Sequence, residues 1–206
     1  MTDSARIPLF PLGTALFPEG SLPLRIFEPR YRRMIAQCLK AHDTFGVCLI
    51  AAGREVGEPA VPYLLGTEAQ IVSADHLRNG VVDIVVRGRR RFQVLDHELE
   101  ADGLLIGTVR WLPEPVAQPI PRHLAEVVPL LERLIEKFGG GHVVEPLRLD
   151  DAVWVGTRYA EWLPLKPEAK QRLLEMDDPL ERLEFVRDTL YELGMLPDDP
   201  DAPLTR

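Results

Sequence analysis

Residues 7–31 read I-P-L-F-P-L-G-T-A-L-F-P-E-G-S-L-P-L-R-I-F-E-P-R-Y, and this stretch decides the fold class of the N-terminal half of the chain. It holds two short apolar segments, 7–12 and 22–27, and it is interrupted by Pro8, Pro11, Pro18 and Pro23. Because proline has no backbone N–H to donate, prolines in sheets are confined to edge strands, bulges and strand starts. The stretch therefore predicts two short strands that are edges, bulged or sharply bent.

A helix is predicted directly after these strands. Glu28 precedes Pro29, and proline suits the first helical position because its missing N–H would have no partner there. The next apolar residues follow a spacing of i, i+3, i+4, i+7 and i+8: Tyr31, Met34, Ile35, Cys38 and Leu39. This spacing is typical of an amphipathic helix that buries one stripe.

Further strands are predicted at 45–50, 69–73, 81–86, 92–95 and 104–111, where β-branched residues lie between Gly, Asn and Asp turn signals. Asn79-Gly80 is the strongest of these turn signals. After a proline-rich stretch at 113–121, which we interpret as a stiff linker, the apolar periodicity becomes helical.

Four helices are predicted in this second half, at 124–138, 152–163, 167–176 and 178–194. Pro129 either kinks the first of them or marks its start, and Gly139-Gly140-Gly141 ends it. Strands followed by helices indicate an α+β protein. We divide it into a strand-rich domain at 1–116 and a helical part at 117–206, whose tail from 197 onward is expected to fray.

The composition limits the classes of partner that the protein is expected to bind. The 206-residue chain has 32 acidic against 24 basic residues and a net charge of −8, which argues against nucleic acid as the main partner. Two cysteines fit a reducing compartment, no signal peptide is visible, and the apolar runs are too short to cross a bilayer. We expect a cytoplasmic protein with no membrane partner.

No pattern in the sequence indicates catalysis. None of the three serines lies in a G-x-S-x-G or S-x-x-K motif, and no phosphate-binding loop of the form G-x-x-x-x-G-K-[ST] is present. The carboxylate pairs Asp150-Asp151 and Asp177-Asp178 precede predicted helices, where aspartate caps backbone N–H groups. We therefore expect no enzyme, no catalytic residues and no cofactor.

Cys38, His42 and Cys48 form the one cluster that resembles a metal site. A structural zinc ion needs four ligands, and no fourth ligand is evident in the sequence. Cys38 also continues the apolar stripe of the predicted helix, where a free cysteine behaves as a small hydrophobic residue. We expect Cys38 to be a buried thiol, and we expect no metal.

The run R-G-R-R-R-F at 87–92 has two interpretations. Four arginines beside an aromatic ring could grip phosphate groups. Alternatively, the run is a strand–turn–strand segment whose arginines are solvated or paired with carboxylates. The net charge of −8 favours the second interpretation.

Beyond these patterns, residues 7–31 resemble, closely and in order, the opening signature of the Lon protease substrate-binding (N-terminal) domain family. Three shorter landmarks of the same family recur at suitable spacing: F-G-V at 45–47, G-T at 66–67 and the arginine run. A second long segment, 162–183, matches the helical part of the family, P-L-x-P-x-x-K-Q-x-L-L-E-M-D-D-P-x-E-R-L. The resemblance spans nearly the whole chain.

The resemblance implies a partly closed β-barrel of the PUA-like (pseudouridine-synthase-and-archaeosine-transglycosylase) type with one inserted helix, followed by a helical bundle. In full-length Lon proteases this domain engages substrate, while separate modules supply ATP hydrolysis and a Ser-Lys peptidase. We see neither module in this sequence and expect a non-catalytic module that recognises unfolded or apolar polypeptide, with a protease in trans as a further candidate partner. By analogy with RNA-binding PUA domains, the alternative is nucleic-acid or anion binding through Arg87 to Arg91.

Some residues of these motifs are candidates for contact with a partner: Phe10, Pro11, Leu12, Phe17, Arg25, Arg87, Arg89 and Arg90. Most other family-motif residues are apolar or proline, which is typical of core packing and turn geometry. Phe27 and Tyr31 are expected to anchor the helix to the barrel.

Overall fold

The computed structural model describes residues 4–76, 80–138 and 146–196. In order, the elements are β1 (Ser4–Leu12), β2 (Ser21–Ile26), α1 (Pro29–Ala41), β3 (Phe45–Ala52), β4 (Val61–His76), β5 (Val82–Leu99), β6 (Leu105–Trp111), α2 (Val127–Phe138), α3 (Ala152–Trp162), α4 (Pro167–Glu175) and α5 (Pro179–Glu192). No helix in these ranges is long and apolar enough to span a membrane. The α+β class is confirmed. The predicted turn at Asn79, the glycine run 139–141 and the tail from 197 lie outside the described residues.

The chain divides into two compact units, Met1–Glu114 with Lys166–Leu174, and Pro115–Leu165 with Glu175–Arg206. The first unit therefore includes most of α4 as well as all six strands. Gln171 of α4 donates to the carbonyl of Leu65 at 3.0 Å, and Arg91 of β5 donates to the carbonyl of Leu174 at 2.8 Å. The sequence-based division assigned α4 to the helical part, and its boundary at 116/117 stays a prediction.

The six strands form one sheet in the order β2-β5-β4-β3-β1-β6, and β6 also pairs with β5. This extra pairing joins the end strand β6 back to β5 and leaves β2 outside the closed part, so the sheet is partly closed rather than a clean barrel. Among the strands of the described ranges, β1 and β3 are the one pair that runs in parallel. The strand β2 pairs with the first half of β5, and within the described ranges no strand pairs with its outer edge.

The arginine run lies inside β5, so the separation of 81–86 and 92–95 into two strands was wrong. Ala69 pairs with Gly88 and Thr67 pairs with Arg91, so Arg89 and Arg90 together oppose the single residue Glu68. Such a β-bulge adds one residue to one strand. The alternation of buried and exposed side chains shifts at the bulge, which is why the sequence pattern indicates a turn there.

Alternate residues of the strands fill two separate cores. In β1, Phe10 and Leu12 pack in the core that also receives α1, while Leu9 packs in the core within the closed part of the sheet. The second core is tight around Phe92. A Cβ atom at Gly46 would lie 2.6 Å from the Phe92 ring, so only glycine fits there without rearrangement.

The helix α1 packs through the stripe that the sequence predicted. Tyr31 is buried, and its ring stacks on that of Phe10 with 4.0 Å between centroids. Arg30 pairs with Glu28 at 2.9 Å and donates to the carbonyl of Gly103 at 3.2 Å, which ties the helix start to the β5–β6 turn. Phe27 is 50% exposed, so its expected role as a second anchor was wrong.

The helices α3 and α5 of the second unit begin where the sequence predicts them, whereas α2 begins at Val127 and not at residue 124. Asp151 accepts a hydrogen bond from the Val153 N–H and caps α3, and Asp178 caps α5 through the N–H groups of Leu180 and Glu181. Pro129 lies in the first turn of α2, so it marks a helix start and not a kink. Capping thus explains both carboxylate pairs.

Candidate functional site

Four of the candidate partner-contact residues are core residues. Phe10, Leu12 and Phe17 are 6%, 1% and 2% exposed, and Pro11 is also buried. Both faces of β1 are covered by core side chains, so Phe10, Pro11 and Leu12 pack inside whichever way they point. Phe17 lies in the segment between β1 and β2 and is buried there. The expectation that these four residues face a partner was therefore wrong.

Most of the arginine run is held by partners within the protein. Arg89 donates to the Gln70 amide oxygen at 2.8 Å, and Arg90 donates through Nε to Glu68 at 3.1 Å. Arg91 is buried and holds α4. The bond of Arg90 is to a carboxylate, as the second interpretation expects, whereas Arg89 bonds to an amide oxygen and Arg91 to a backbone carbonyl. The run is a bulged strand and not a turn. Arg87 differs, because its buried Nε has no hydrogen-bond partner among the described residues.

A buried network surrounds Glu68. Its carboxylate accepts hydrogen bonds from the Thr44 hydroxyl at 2.7 Å and from Arg90, whose guanidinium lies 3.8 Å from the centre of the Trp111 ring. Glu68 itself is 6% exposed. A buried carboxylate needs such partners to offset its lost hydration. The network is therefore structural and leaves Arg90 little freedom to bind a ligand.

Arg25 is the more exposed of the two candidate residues, Arg25 and Arg90, for which an ion pair is described. Its side chain is 70% exposed, and its Nε and Nη2 donate to the two carboxylate oxygens of Asp83 at 2.8 and 2.9 Å. These hydrogen bonds hold the pKa of Asp83 below its ordinary value. The pair uses one side of the guanidinium, which has five N–H donors in total.

An open groove of about 340 Å³ runs across three strands beside Arg25. Its walls are formed by Pro23, Leu24, Arg25, Ser73, Asp75, Asp83, Ile84 and Val85. The register explains the arrangement, because Pro23, Val85 and Ser73 lie opposite one another across β2, β5 and β4. Directly opposed residues share one face of a sheet. The row of Pro23, Val85 and Ser73 is thus mainly apolar. The next row, Arg25, Asp83 and Asp75, is charged.

The outer edge of β2 forms the border of this groove. The Gly88 N–H donates to the Gly20 carbonyl at 2.8 Å. Because alternate residues of an antiparallel pair are hydrogen-bonded, the register turns the backbone groups of Ser21, Pro23 and Arg25 away from β5. Pro23 has no N–H, so this edge offers donors only on either side of it. Proline at this position fits the sequence-based prediction of an edge strand.

Two large exposed apolar residues lie within two positions of the groove lining in the sequence. Phe27, directly after β2, is 50% exposed, and Val72 on β4 is 51% exposed. We call the outer edge of β2 with the groove, Phe27 and Val72 the β2-edge surface. Sequence reasoning missed Phe27 and Val72. The alternation of β2, which turns Pro23 and Arg25 outward, would have pointed to Phe27.

The cysteine cluster is separated by the fold. Cys38 and Cys48 are buried in the two different cores, which confirms Cys38 as a buried thiol. Burial raises the pKa of Cys38 to about 11 and that of Cys48 to about 12. The described parts of the chain contain no group of three or more His, Cys, Asp or Glu residues that could hold a metal ion.

Known proteins match most of the chain. Lon protease of Parabacteroides distasonis is 27% identical over 202 residues, which cover 91% of this chain, and that of Dictyoglomus thermophilum is 25% identical over 192 residues, or 87%. The chain spans only about a quarter of the length of these relatives, 24% and 23%. Protein cereblon of Xenopus tropicalis is 32% identical over 117 residues, or 54% of this chain.

Two solved structures share the fold. The Lon N-terminal domain protein from Xanthomonas campestris is 34% identical with a TM-score of 0.74, and the match covers 94% of this chain and 99% of that one. The N-terminal domain of Mycobacterium avium complex Lon protease is 21% identical with a TM-score of 0.67, covering 89% and 97%. The family model of the ATP-dependent protease La (LON) substrate-binding domain matches residues 6–192. The chain therefore belongs to the Lon substrate-binding domain family.

Proposed function

We propose that this protein is a non-catalytic binding module that holds extended, apolar segments of unfolded polypeptide at the β2-edge surface. The single observation that carries the proposal is the outer edge of β2, which no described strand pairs with and which borders an open groove. An extended peptide can add to such an edge as a further strand. Membership of a substrate-binding family supports polypeptide as the ligand.

The surface suits weak and sequence-tolerant binding. Backbone hydrogen bonds to the edge are the same for every sequence, and Pro23 limits how many can form. Phe27 beside the edge and Val85 on the neighbouring strand β5 add apolar area, and burial of such area contributes roughly 25 cal/mol per Å². Ordering an unfolded segment opposes this gain. We therefore expect dissociation constants in the micromolar range, about 1–100 µM.

A protease acting in trans is the second partner that we propose. The Lon relatives are about four times longer than this chain, so the matched region forms one part of a larger protein in each of them. A module that captures unfolded polypeptide could deliver it to a separate protease. The alternative of RNA binding through the arginine run has less support, because Arg89, Arg90 and Arg91 have protein partners.

The test measures binding of fluorescein-labelled β-casein, an unfolded protein, by fluorescence anisotropy. Two substitutions at one position separate the backbone from the side chain. Arg25→Ala removes the ion pair with Asp83 but keeps the N–H that faces outward. Arg25→Pro also removes that N–H, and it costs no hydrogen bond to β5 because this N–H points away from β5.

We expect Arg25→Pro to weaken binding at least about fivefold relative to Arg25→Ala, which corresponds to one lost hydrogen bond of about 1 kcal/mol. Phe27→Ser should also weaken binding, whereas Leu99→Ser, at a residue of similar exposure on β5, should not. Absence of β-casein binding at 100 µM would reject the function. Equal binding by the alanine and proline variants would reject the β2 edge as the site.

A further inference from the structure

The outward face of β2 and β5 has a charge pattern along the strands. Arg87 lies opposite Ser21, Val85 opposite Pro23, and Asp83 opposite Arg25. Arg87 therefore lies at one end of the face and Arg25 at the other, with the apolar pair Pro23 and Val85 between them. The two rows with arginines are four residues apart, or about 13 Å along the strand.

We propose that the β2-edge surface selects apolar segments flanked on both sides by acidic residues, which Arg25 and Arg87 bind. This inference rests on the proposed function and names the class of peptide that the site prefers. In an extended segment, residues i−2, i and i+2 point to one side. An acidic–x–apolar–x–acidic segment thus places its two carboxylates at the two arginine rows and its apolar side chain beside Pro23.

Arg25 and Arg87 each have at least one N–H group for which no hydrogen bond is described. Arg25 stands on the edge strand itself, is 70% exposed at its side chain, and uses only Nε and Nη2 on Asp83. Arg87 stands one strand further in and is partly exposed. Its Nε is buried and lacks a hydrogen-bond partner among the described residues, so Arg87 would reach a carboxylate through the end of its guanidinium. Its neighbour towards the edge is Ser21, a residue with a small side chain, and a long arginine side chain can extend past such a neighbour.

The acidic groups of the face lie farther from an added strand than Arg25 does. Asp83 is on β5 and is already bound by Arg25, and Asp75 lies opposite Asp83 on β4. With strands about 4.8 Å apart, an added strand lies about 14 Å from β4. That separation exceeds the screening length of about 8 Å at physiological ionic strength. The nearer cation therefore outweighs Asp75.

The experiment compares three peptides that differ only in charge: T-E-T-I-T-E-T, T-Q-T-I-T-Q-T and T-K-T-I-T-K-T. Their symmetry makes parallel and antiparallel addition equivalent. Each competes with labelled β-casein for binding to the 206-residue protein. We expect the acidic peptide to compete at least about threefold better than the basic one at physiological ionic strength, because exposed ion pairs contribute a few tenths to 1 kcal/mol each. The difference should disappear in 0.5 M NaCl.

The double variant Arg25→Gln/Arg87→Gln should lose this preference. The matched control, Arg89→Gln/Arg110→Gln, removes the same charge from other positions of the first unit and should keep it. If wild-type protein binds β-casein without any acidic preference, or if the preference survives in Arg25→Gln/Arg87→Gln, the inference is wrong while the proposed function stands. If β-casein does not bind at all, the proposed function is rejected, and the inference that rests on it is rejected with it.

Discussion

The Glu68 carboxylate lies 3.1 Å from Nε of Arg90 at the bulge of β5, although Glu68 is almost completely buried. Substitution Glu68→Gln keeps the size of the side chain but removes its charge, so Arg90 loses its ion pair. Because Arg90 is partly exposed and keeps its contact with Trp111, we expect a loss of about 1–2 kcal/mol in the free energy of unfolding. Urea denaturation measures the change.

A matched control for this prediction is the exposed ion pair of Arg6 and Glu98. The substitution Glu98→Gln should change stability by less than about 1 kcal/mol, because exposed ion pairs contribute little. Equal effects of the two substitutions would contradict the structural role of Glu68.

Gly66 should tolerate no side chain. A Cβ atom there would lie 2.4 Å from the Val47 carbonyl oxygen and 2.8 Å from the Phe92 ring, so the backbone of β3 would have to move. We expect Gly66→Ala to destabilise the protein by about 2–4 kcal/mol. Gly156→Ala is the control, because the nearest atom to its Cβ is 3.5 Å away and the residue is helical. That variant should be neutral or more stable by up to about 1 kcal/mol. Thermal unfolding of both variants gives the comparison.

Both cysteine thiols should resist modification in the folded protein. Burial raises the pKa of Cys38 to about 11 and that of Cys48 to about 12, and only the thiolate reacts. Reaction with Ellman's reagent at pH 8 should be slow in buffer and complete at once in 6 M guanidinium chloride. Rapid modification of either thiol in buffer would mean that its core opens.

The same pKa shifts predict how stability depends on pH. A thiol whose pKa is higher in the folded state than its ordinary value of 9.0 disfavours ionisation of the folded protein. Below pH 9 the thiol is protonated in both states and stability is unaffected. As the pH rises from 9 towards 11, the unfolded state loses the proton first, so the free energy of unfolding falls. Cys38→Ala should reduce this fall, measured by urea denaturation at several pH values.

Purified protein should neither hydrolyse ATP nor cleave β-casein, because the sequence has no phosphate-binding loop and no Ser-x-x-Lys motif. Phosphate release and gel electrophoresis measure the two activities. ATP turnover that disappears when one residue of this chain is substituted would refute the expectation. Turnover that is unchanged by such substitutions would come from a contaminant.

The sequence was a good guide to the elements with regular periodicity. The stripe of α1 and the aspartate caps of α3 and α5 are local features, determined by residues within one or two turns of each other, and the structure reproduces them. Around Arg89 the pattern was misleading. A bulge exists only relative to the partner strand, because it means that two residues of β5 oppose the single residue Glu68 of β4. The sequence of β5 alone does not show which residues of β4 it pairs with.

For the candidate site, too, the sequence predicted some features and the tertiary structure decided others. The sequence alone identified the family motif, predicted that the strand containing Pro23 is an edge strand, and named Arg25 and Arg87 as candidate contacts with a partner. The tertiary structure decided that Phe10, Pro11, Leu12 and Phe17 are buried while Phe27 is exposed. Apolar character predicts that a side chain prefers to be buried. Whether it is buried depends on which faces of its strand are covered by distant segments, and only the folded chain brings those segments together.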